Sequence, residues 1–298
     1  MRPTSGGVRR VTRPTLGPVT PIAVLHPAPE HDTTIRLGEG HVGVVAWQAR
    51  RMTTLVVTGG SRGIGAGVCL LAARAGWDVV VDYVQDESAA LDVVAAVEAQ
   101  GGHALAVQAD VRDAAAVARL FTAASAWRGP IAGLVNNAGI SGGFARVDEV
   151  TASTLEDVLA VNVVGAFLCA GEAVRRMSTS HGGAGGAIVN VSSRAAVLGS
   201  PGEWVHYAAS KGAIDTMTIG LAREVATEGV RVNAVAVGLV DTDLHSAAGE
   251  PGRPDRLRPT VPMQRSGSVA EVAAAVLWLL SDDASYTTGT VLAVSGGR

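Results

Sequence analysis

The chain has 298 residues, 48% hydrophobic and 17% charged, with a net charge of -3. That supplies enough apolar material for one large core, and the near-neutral charge gives no case for a nucleic-acid or acidic-membrane partner. The two cysteines, Cys69 and Cys169, sit in apolar helical patterns without CxxC spacing, so no disulfide framework and no metal site is expected, and a reducing, cytoplasmic setting is.

Residues 1–51 mix Pro, Gly, Thr and Arg without a steady period and read as a disordered N-terminal extension. Arg9-Arg10 faintly suggests a twin-arginine signal, but Pro14, Pro18 and Pro21 occupy the place of an apolar region. At Met52 the texture changes to a strand. Met52 reads as the natural start and the preceding segment as translated upstream sequence; a disordered tail with a binding role is the other reading. No apolar run approaches the length of a membrane helix, so no membrane segment is expected.

From residue 52 to 298 short Val-rich runs alternate with longer Ala-rich helical stretches. Strands are predicted at Leu55–Thr58, Val79–Tyr83, Ala104–Gln108, Gly133–Asn136, Ala187–Ser192, Arg231–Val237 and Val291–Val294. Helices are predicted at Ile64–Ala75, Glu87–Gln100, Ala114–Ala126, Ser153–Met177, His206–Glu228 and Val269–Leu280. Continuous apolar strands alternating with helices imply right-handed βαβ units: a single α/β domain with a parallel sheet covered on both faces.

The first strand runs into Thr58-Gly59-Gly60-Ser61-Arg62-Gly63-Ile64-Gly65, which opens the first helix. Glycines there permit a tight turn and let a pyrophosphate reach the free N–H groups and positive dipole of the helix start. The same residues also spell GxSxG, the nucleophile elbow of α/β-hydrolases. That reading needs a later acid and histidine and an oxyanion loop before the elbow; the only HGG, at His181, comes too late. Downstream, Ser193 ends a predicted strand, and Tyr207 and Lys211 lie four residues apart on one helix face. Lys211 is the single lysine among 24 basic residues. A compact ammonium on a flexible stem is something arginine does not imitate.

TGGSRGIG at Thr58–Gly65, Asp110-Val111, NNAG at Asn136–Gly139, Asn162, Ser193 and Tyr207-Ala-Ala-Ser-Lys211 together resemble the classical short-chain dehydrogenase/reductases, over Met52–Arg298. The likeness is to members of the bacterial 3-oxoacyl-carrier-protein reductase and glucose-dehydrogenase type. It implies a doubly wound, seven-stranded Rossmann sheet, a homotetramer joined through the two long helices, and hydride transfer between a nicotinamide cofactor and a small carbonyl or alcohol substrate.

By the same resemblance Tyr207 is the general acid/base and Lys211 favours its phenolate and holds the nicotinamide ribose. Ser193 binds the substrate oxygen, with Ser192 as the alternative serine. Asn162 holds a relay water, or else braces the sheet as a core amide. Cofactor contacts fall on Gly59, Ser61, Arg62, Gly63, Ile64 and Gly65 in the first turn, and on Tyr83 after the second strand. Further contacts fall on Asp110 and Val111, on Asn136, Asn137, Ala138 and Gly139, on Gly238, Val240 and Thr242, and on Tyr207 and Lys211. Where relatives have Pro-Gly, this chain has Val237-Gly238. Arg62 favours NADP(H) over NAD(H); Asp82 weighs the other way, although strand alternation gives Tyr83 the position of the NAD-binding acid. The alternative function is a non-catalytic NADP-binding regulator on the same fold.

Phe144–Val150, Glu203–His206 and the Pro-rich Leu244–Pro262 are expected to border the substrate, the last as a mobile lid. Its Arg253, Arg256 and Arg258 read as a solvated charge cluster, with a grip on an acidic substrate or carrier protein as the alternative.

Overall fold

The computed structural model describes residues 53–242 and 248–298. The N-terminal extension and part of the expected lid, residues 243–247, lie outside the described residues.

Seven strands form one parallel sheet in the order β3-β2-β1-β4-β5-β6-β7. They are β1 Thr54–Val57, β2 Asp78–Tyr83, β3 His103–Gln108, β4 Ile131–Asn136, β5 Gly186–Ser193, β6 Val230–Val237 and β7 Val291–Val294. Every residue of β1 and β2 is buried, as strands covered on both faces require. Leu55, Val57, Val79 and Val81 pack into one core, and Val56 and Val80 into a second on the opposite face.

The first core is closed by α1 Gly63–Arg74, α2 Glu87–Glu98 and, later in the chain, Val269–Leu280. The second is closed by α3 Ala114–Trp127, α5 Ala166–Met177 and α7 Val205–Val225, with α4 Ala152–Leu159 leading into α5. α6, Ala195–Leu198, and α8, Arg253–Leu257, are short helices that the hydrophobic pattern does not show; Val269–Leu280 is α9. α9 starts with a capping box, Ser268 and Glu271 serving each other's backbone N–H groups.

The helix expected over Ser153–Met177 is broken by a π-helical stretch, Ala160–Gly165, which carries Asn162. The whole of Ala152–Met177 is long and apolar enough to cross a membrane by length and composition, contrary to the sequence expectation. Its inner side nevertheless packs into the second core through Cys169, Ala173 and Met177, all fully buried.

Strand order reverses between β1 and β4. A crevice therefore opens at the carboxyl ends of those strands, where the turn after β1 faces the NNAG segment after β4.

Candidate active site

The turn after β1 is held from three sides. Thr58 Oγ1 accepts the N–H groups of Asn137 and Ala138, each at 3.0 Å. Asn137 Nδ2 donates back to the carbonyls of Thr58 and Gly59 at 3.0 and 2.9 Å. Asp82 Oδ2 accepts from Gly59 N at 3.1 Å from beneath. Gly59 has φ +59°, and a Cβ on Gly65 would come within 2.3 Å of the Gly59 carbonyl oxygen, so both positions exclude a side chain. α1 then begins with no side-chain cap and no acid in its first turn, leaving its first N–H groups and positive dipole end for an anion.

A cleft of about 760 Å³ runs from this turn across the strand ends to Tyr207. It is lined by Gly59, Ser61, Arg62, Gly63, Ile64, Tyr83, Asp110, Val111, Asn137, Ala138, Gly139, Gly238, Val240 and Thr242, together with Ser192, Ser193, Tyr207 and Lys211. Three expected residues are not in its wall. Gly65 is too deep, pressed against the turn it serves. Asn136 is 7% exposed and spends its amide on Asn190 Oδ1 at 2.9 Å and the Ala166 carbonyl at 3.3 Å. Asn162, 2% exposed, accepts from Ile140 N at 2.8 Å and donates to the Ile140 carbonyl at 2.9 Å and Ser210 Oγ at 3.0 Å. Its side chain braces the loop after β4 against α7.

At the far end β5 delivers Ser193 and α7 delivers Tyr207 and Lys211, one helical turn apart. Burial raises the Tyr207 phenol above its ordinary pKa; a hydrogen bond with Ser193 and the charge of Arg253 pull the other way. Ser193 Oγ also accepts from Ala195 N at 3.1 Å. Ser192, next to it, faces α7 instead, donating to the Lys211 carbonyl at 3.4 Å. Lys211 is 5% exposed, donates to the Val191 carbonyl at 2.8 Å, and lies 5.7 Å from the centre of the Tyr207 ring. Burial pushes its pKa down to about 8 against the support of Asp215, so it still carries its proton at neutral pH.

Several participants escaped the sequence reading. Asp86 caps α2 by accepting from Ala89 N at 3.0 Å, and it lines the cleft beside Arg62, 3.5 Å away. An Asp directly before the helical run beginning at Glu87 was the signal for it. Arg112 joins Asp110 and Asp157 at 2.7 and 3.3 Å. Trp204, inside the expected Glu203–His206 border, lines the cleft and packs edge-on to Tyr207 with ring centres 5.7 Å apart.

The expected solvated arginine cluster forms in part: Arg256 and Arg258 are exposed, but Arg253 is buried. Arg253, 6% exposed, pairs with Glu203 at 2.8 Å, as Arg256 does, and Arg258 pairs with Asp255 at 2.8 Å. The described part of the expected lid, carrying α8, is thereby fastened to the loop ahead of α7. Gly238 keeps its place without a preceding proline: its N–H donates to the Val294 carbonyl at 2.9 Å, and any Cβ would strike Ser295.

An uncapped helix start facing a glycine turn, a long cleft at the sheet's reversal point, and a Ser-Tyr-Lys cluster at its far end define a dinucleotide-binding enzyme site. The family model described as enoyl-(acyl carrier protein) reductase matches residues 59–298. The chain is 52% identical to the uncharacterized oxidoreductase YgfF of Escherichia coli (strain K12) over 247 residues, covering 83% of this chain and all of that protein. It is 36% identical to glucose 1-dehydrogenase 2 of Bacillus subtilis (strain 168), covering 82% of this chain and 93% of that protein. A crystal structure of a short-chain dehydrogenase from Burkholderia cenocepacia J2315 in complex with NADP superposes with a TM-score of 0.75 at 34% identity, over 82% of this chain and 97% of that one. The chain belongs to the short-chain dehydrogenase/reductases, a family of nicotinamide-dependent oxidoreductases. With that, the hydrolase reading of the first turn falls.

Proposed function

We propose that this chain interconverts a carbonyl compound and a secondary alcohol, with Tyr207 as general acid/base and NADP(H) as the preferred cofactor. The observation that carries the reading is that Ser193, the buried Tyr207 and Lys211 together line one end of a cleft whose other end is the uncapped start of α1. The residues fit the cofactor: the uncapped α1 N–H groups would receive its pyrophosphate, Asp110 and Val111 would border the adenine, Lys211 would hold the nicotinamide ribose, and Val240 and Thr242 would border the carboxamide. When bound, the nicotinamide supplies or accepts the hydride.

The rest belongs to the protein. In the reducing direction the carbonyl oxygen sits between Ser193 Oγ and the Tyr207 hydroxyl; the carbon gains hydride and the oxygen takes the Tyr207 proton, giving the alcohol and a phenolate. A phenolate in so buried a site needs nearby positive charge, and the Lys211 ammonium and Arg253 supply it. Asn162 holds the loop at Ile140 and Ser210 of α7 in place, which sets the spacing between cofactor and tyrosine.

The preference for NADP(H) rests on Arg62, whose side chain is 61% exposed at the cleft's mouth. Asp82 does not compete, since it is fully buried under the turn, and Tyr83 takes the lining position. The acid that does compete is Asp86. A homotetramer is supported by Leu155, Leu159, Val164 and Phe167, which leave an apolar stripe exposed along α4 and α5, and by Ile219 on α7. Light scattering on the purified chain tests it. The enzymatic reading is tested by NADPH-dependent turnover of a carbonyl panel with wild type and Tyr207→Phe. Equal turnover by the two proteins rejects the mechanism, and tight cofactor binding without any turnover supports the regulator instead.

A further inference from the structure

Charge is distributed unevenly along the cleft. Among the described residues, the acids lining it are Asp86, Asp110 and Asp157, all at the end near the glycine turn, where Arg62 and Arg112 pair with them. Around Tyr207 the lining carries Arg194, Arg253, Arg298 and Lys211 and, among the described residues, no acidic side chain. Behind that wall stands Glu203, and it is oversubscribed. Its Oε2 takes Nε and Nη2 of Arg253 at 3.0 and 2.8 Å, and its Oε1 takes Arg256 at 2.8 Å. One carboxylate thus serves two guanidinium groups.

Arg298 is left with repulsion. Burial and the neighbouring Arg253 both lower its pKa, against the weaker pull of Glu203. Arg194 gives its Nε to the main-chain oxygen of Arg298 at 2.7 Å, an oxygen of the terminal carboxylate, and Asp215 also feels its charge, so the compensation there goes to Arg194 and not to the Arg298 guanidinium. Arg253 cannot escape to solvent: its guanidinium lies 4.2 Å from the centre of the Trp204 ring and 5.9 Å from that of Phe144. Withdrawing excess positive charge from water is costly unless an anion completes the site. Guanidinium groups present a planar fork suited to carboxylate and phosphate oxygens.

We propose that the Tyr207 end of the cleft binds an anionic group of the substrate, so that the enzyme acts on carboxylate- or phosphate-bearing carbonyl compounds rather than on neutral ketones or sugars. Arg253 and Arg298 receive the anion, and Trp204 packs against the carbon skeleton between it and the reacting carbonyl. The proposal rests on the oxidoreductase reading above and adds the substrate class.

The test uses the full chain with saturating NADPH. Acetoacetate is compared with methyl acetoacetate, and dihydroxyacetone phosphate with dihydroxyacetone. The charged member of at least one pair is expected to show a kcat/KM at least tenfold higher, and which pair does so tells carboxylate from phosphate. That preference is expected to fall at least tenfold in Arg298→Gln and Arg253→Gln and to survive in part in Arg253→Lys. Arg298→Gln, at a half-buried position, keeps the test open should Arg253→Gln fail to fold.

Binding gives a readout independent of turnover. Butyrate or propyl phosphate is expected to raise the melting temperature where butyramide does not, and Arg298→Gln is expected to abolish the shift. Anion protection without turnover of any carbonyl would uphold the anion site and count against the oxidoreductase reading for these compounds. Turnover without charge preference, or butyrate and propyl phosphate protecting no better than butyramide, would overturn the proposal alone.

Discussion

Lys211 Nζ lies 5.7 Å from the centre of the Tyr207 ring, yet it gives its hydrogen bond to the Val191 carbonyl, 2.8 Å away on β5. The ammonium is therefore anchored to the sheet rather than hydrogen-bonded to the phenol. Tyr207→Phe is expected to lower kcat roughly 10²–10⁴-fold, the range for loss of a general acid/base, with NADPH binding retained. Lys211→Met is expected to lower both kcat and cofactor affinity. Steady-state kinetics with a fluorescence titration checks both.

Asp215 follows Lys211 by one further turn, and its charge supports the Lys211 proton against burial. Asp215→Asn removes that support, so the Lys211 pKa is expected to drop below its value of about 8. The alkaline limb of kcat/KM should move to lower pH. An unmoved limb would show that another group sets it.

The two neighbouring serines separate by direction. Ser193 lines the cleft and lowers the Tyr207 pKa, whereas the Ser192 hydroxyl donates to the Lys211 carbonyl of α7. Ser193→Ala is expected to cost about 10²-fold in kcat, as loss of a donor to a reacting oxygen does, and Ser192→Ala much less. Equal losses would reassign the substrate contact.

Arg62 and Asp86 make an exposed pair, 3.5 Å apart, at the mouth of the cleft. Arg62→Ala is expected to weaken NADPH binding about tenfold and to leave NADH nearly unchanged, since a half-exposed charge-assisted contact is worth on the order of 1.5 kcal/mol. Asp86→Ala is expected to weaken NADH preferentially. Titrations at fixed salt with both cofactors decide it.

Asp82 is fully buried, and burial raises its pKa from 3.8 to about 7 despite the hydrogen bond from Gly59. The folded chain then holds this proton at a pH where the unfolded chain has released it. Its contribution to stability is complete below about pH 4 and is lost as pH rises to about 7. Asp82→Asn, which keeps an acceptor for Gly59, is expected to melt at a higher temperature than wild type at pH 8, with the gap closing towards pH 4. A gap that stays constant with pH would mean that Asp82 does not titrate in this range.

The sheet was legible because strands buried on both faces must be apolar throughout, and each such run in the sequence became a strand within two residues of its expected bounds. The glycine turn and the Tyr207–Lys211 spacing were legible because steric and helical rules demand those residue types at those intervals. Other features were not. The π-helical stretch at Ala160–Gly165 has no residue signature, because it follows from packing against Val111 and α7 rather than from local preference. Arg253 sits among prolines and glycines, where an arginine reads as solvated; its burial depends on Glu203 and Trp204, about 50 residues earlier. Asn136 and Asn162 were recognised as special residues, but the direction of an amide is decided by tertiary partners.

Those buried amides have an architectural consequence. Asn136 on β4 donates to Asn190 on β5 at 2.9 Å, Asn190 donates to Thr218 on α7 at 2.8 Å, and Thr218 closes onto the Ile214 carbonyl at 2.8 Å. Thr218 lies two turns beyond Lys211 and three beyond Tyr207, so all three share one meridian of the helix. Apolar contacts alone would let α7 roll by part of a turn at small cost, since one valine contact replaces another. A directional polar chain does not roll: it keys the azimuth of the helix to the sheet, and the Tyr207 hydroxyl, three turns away, inherits that aim.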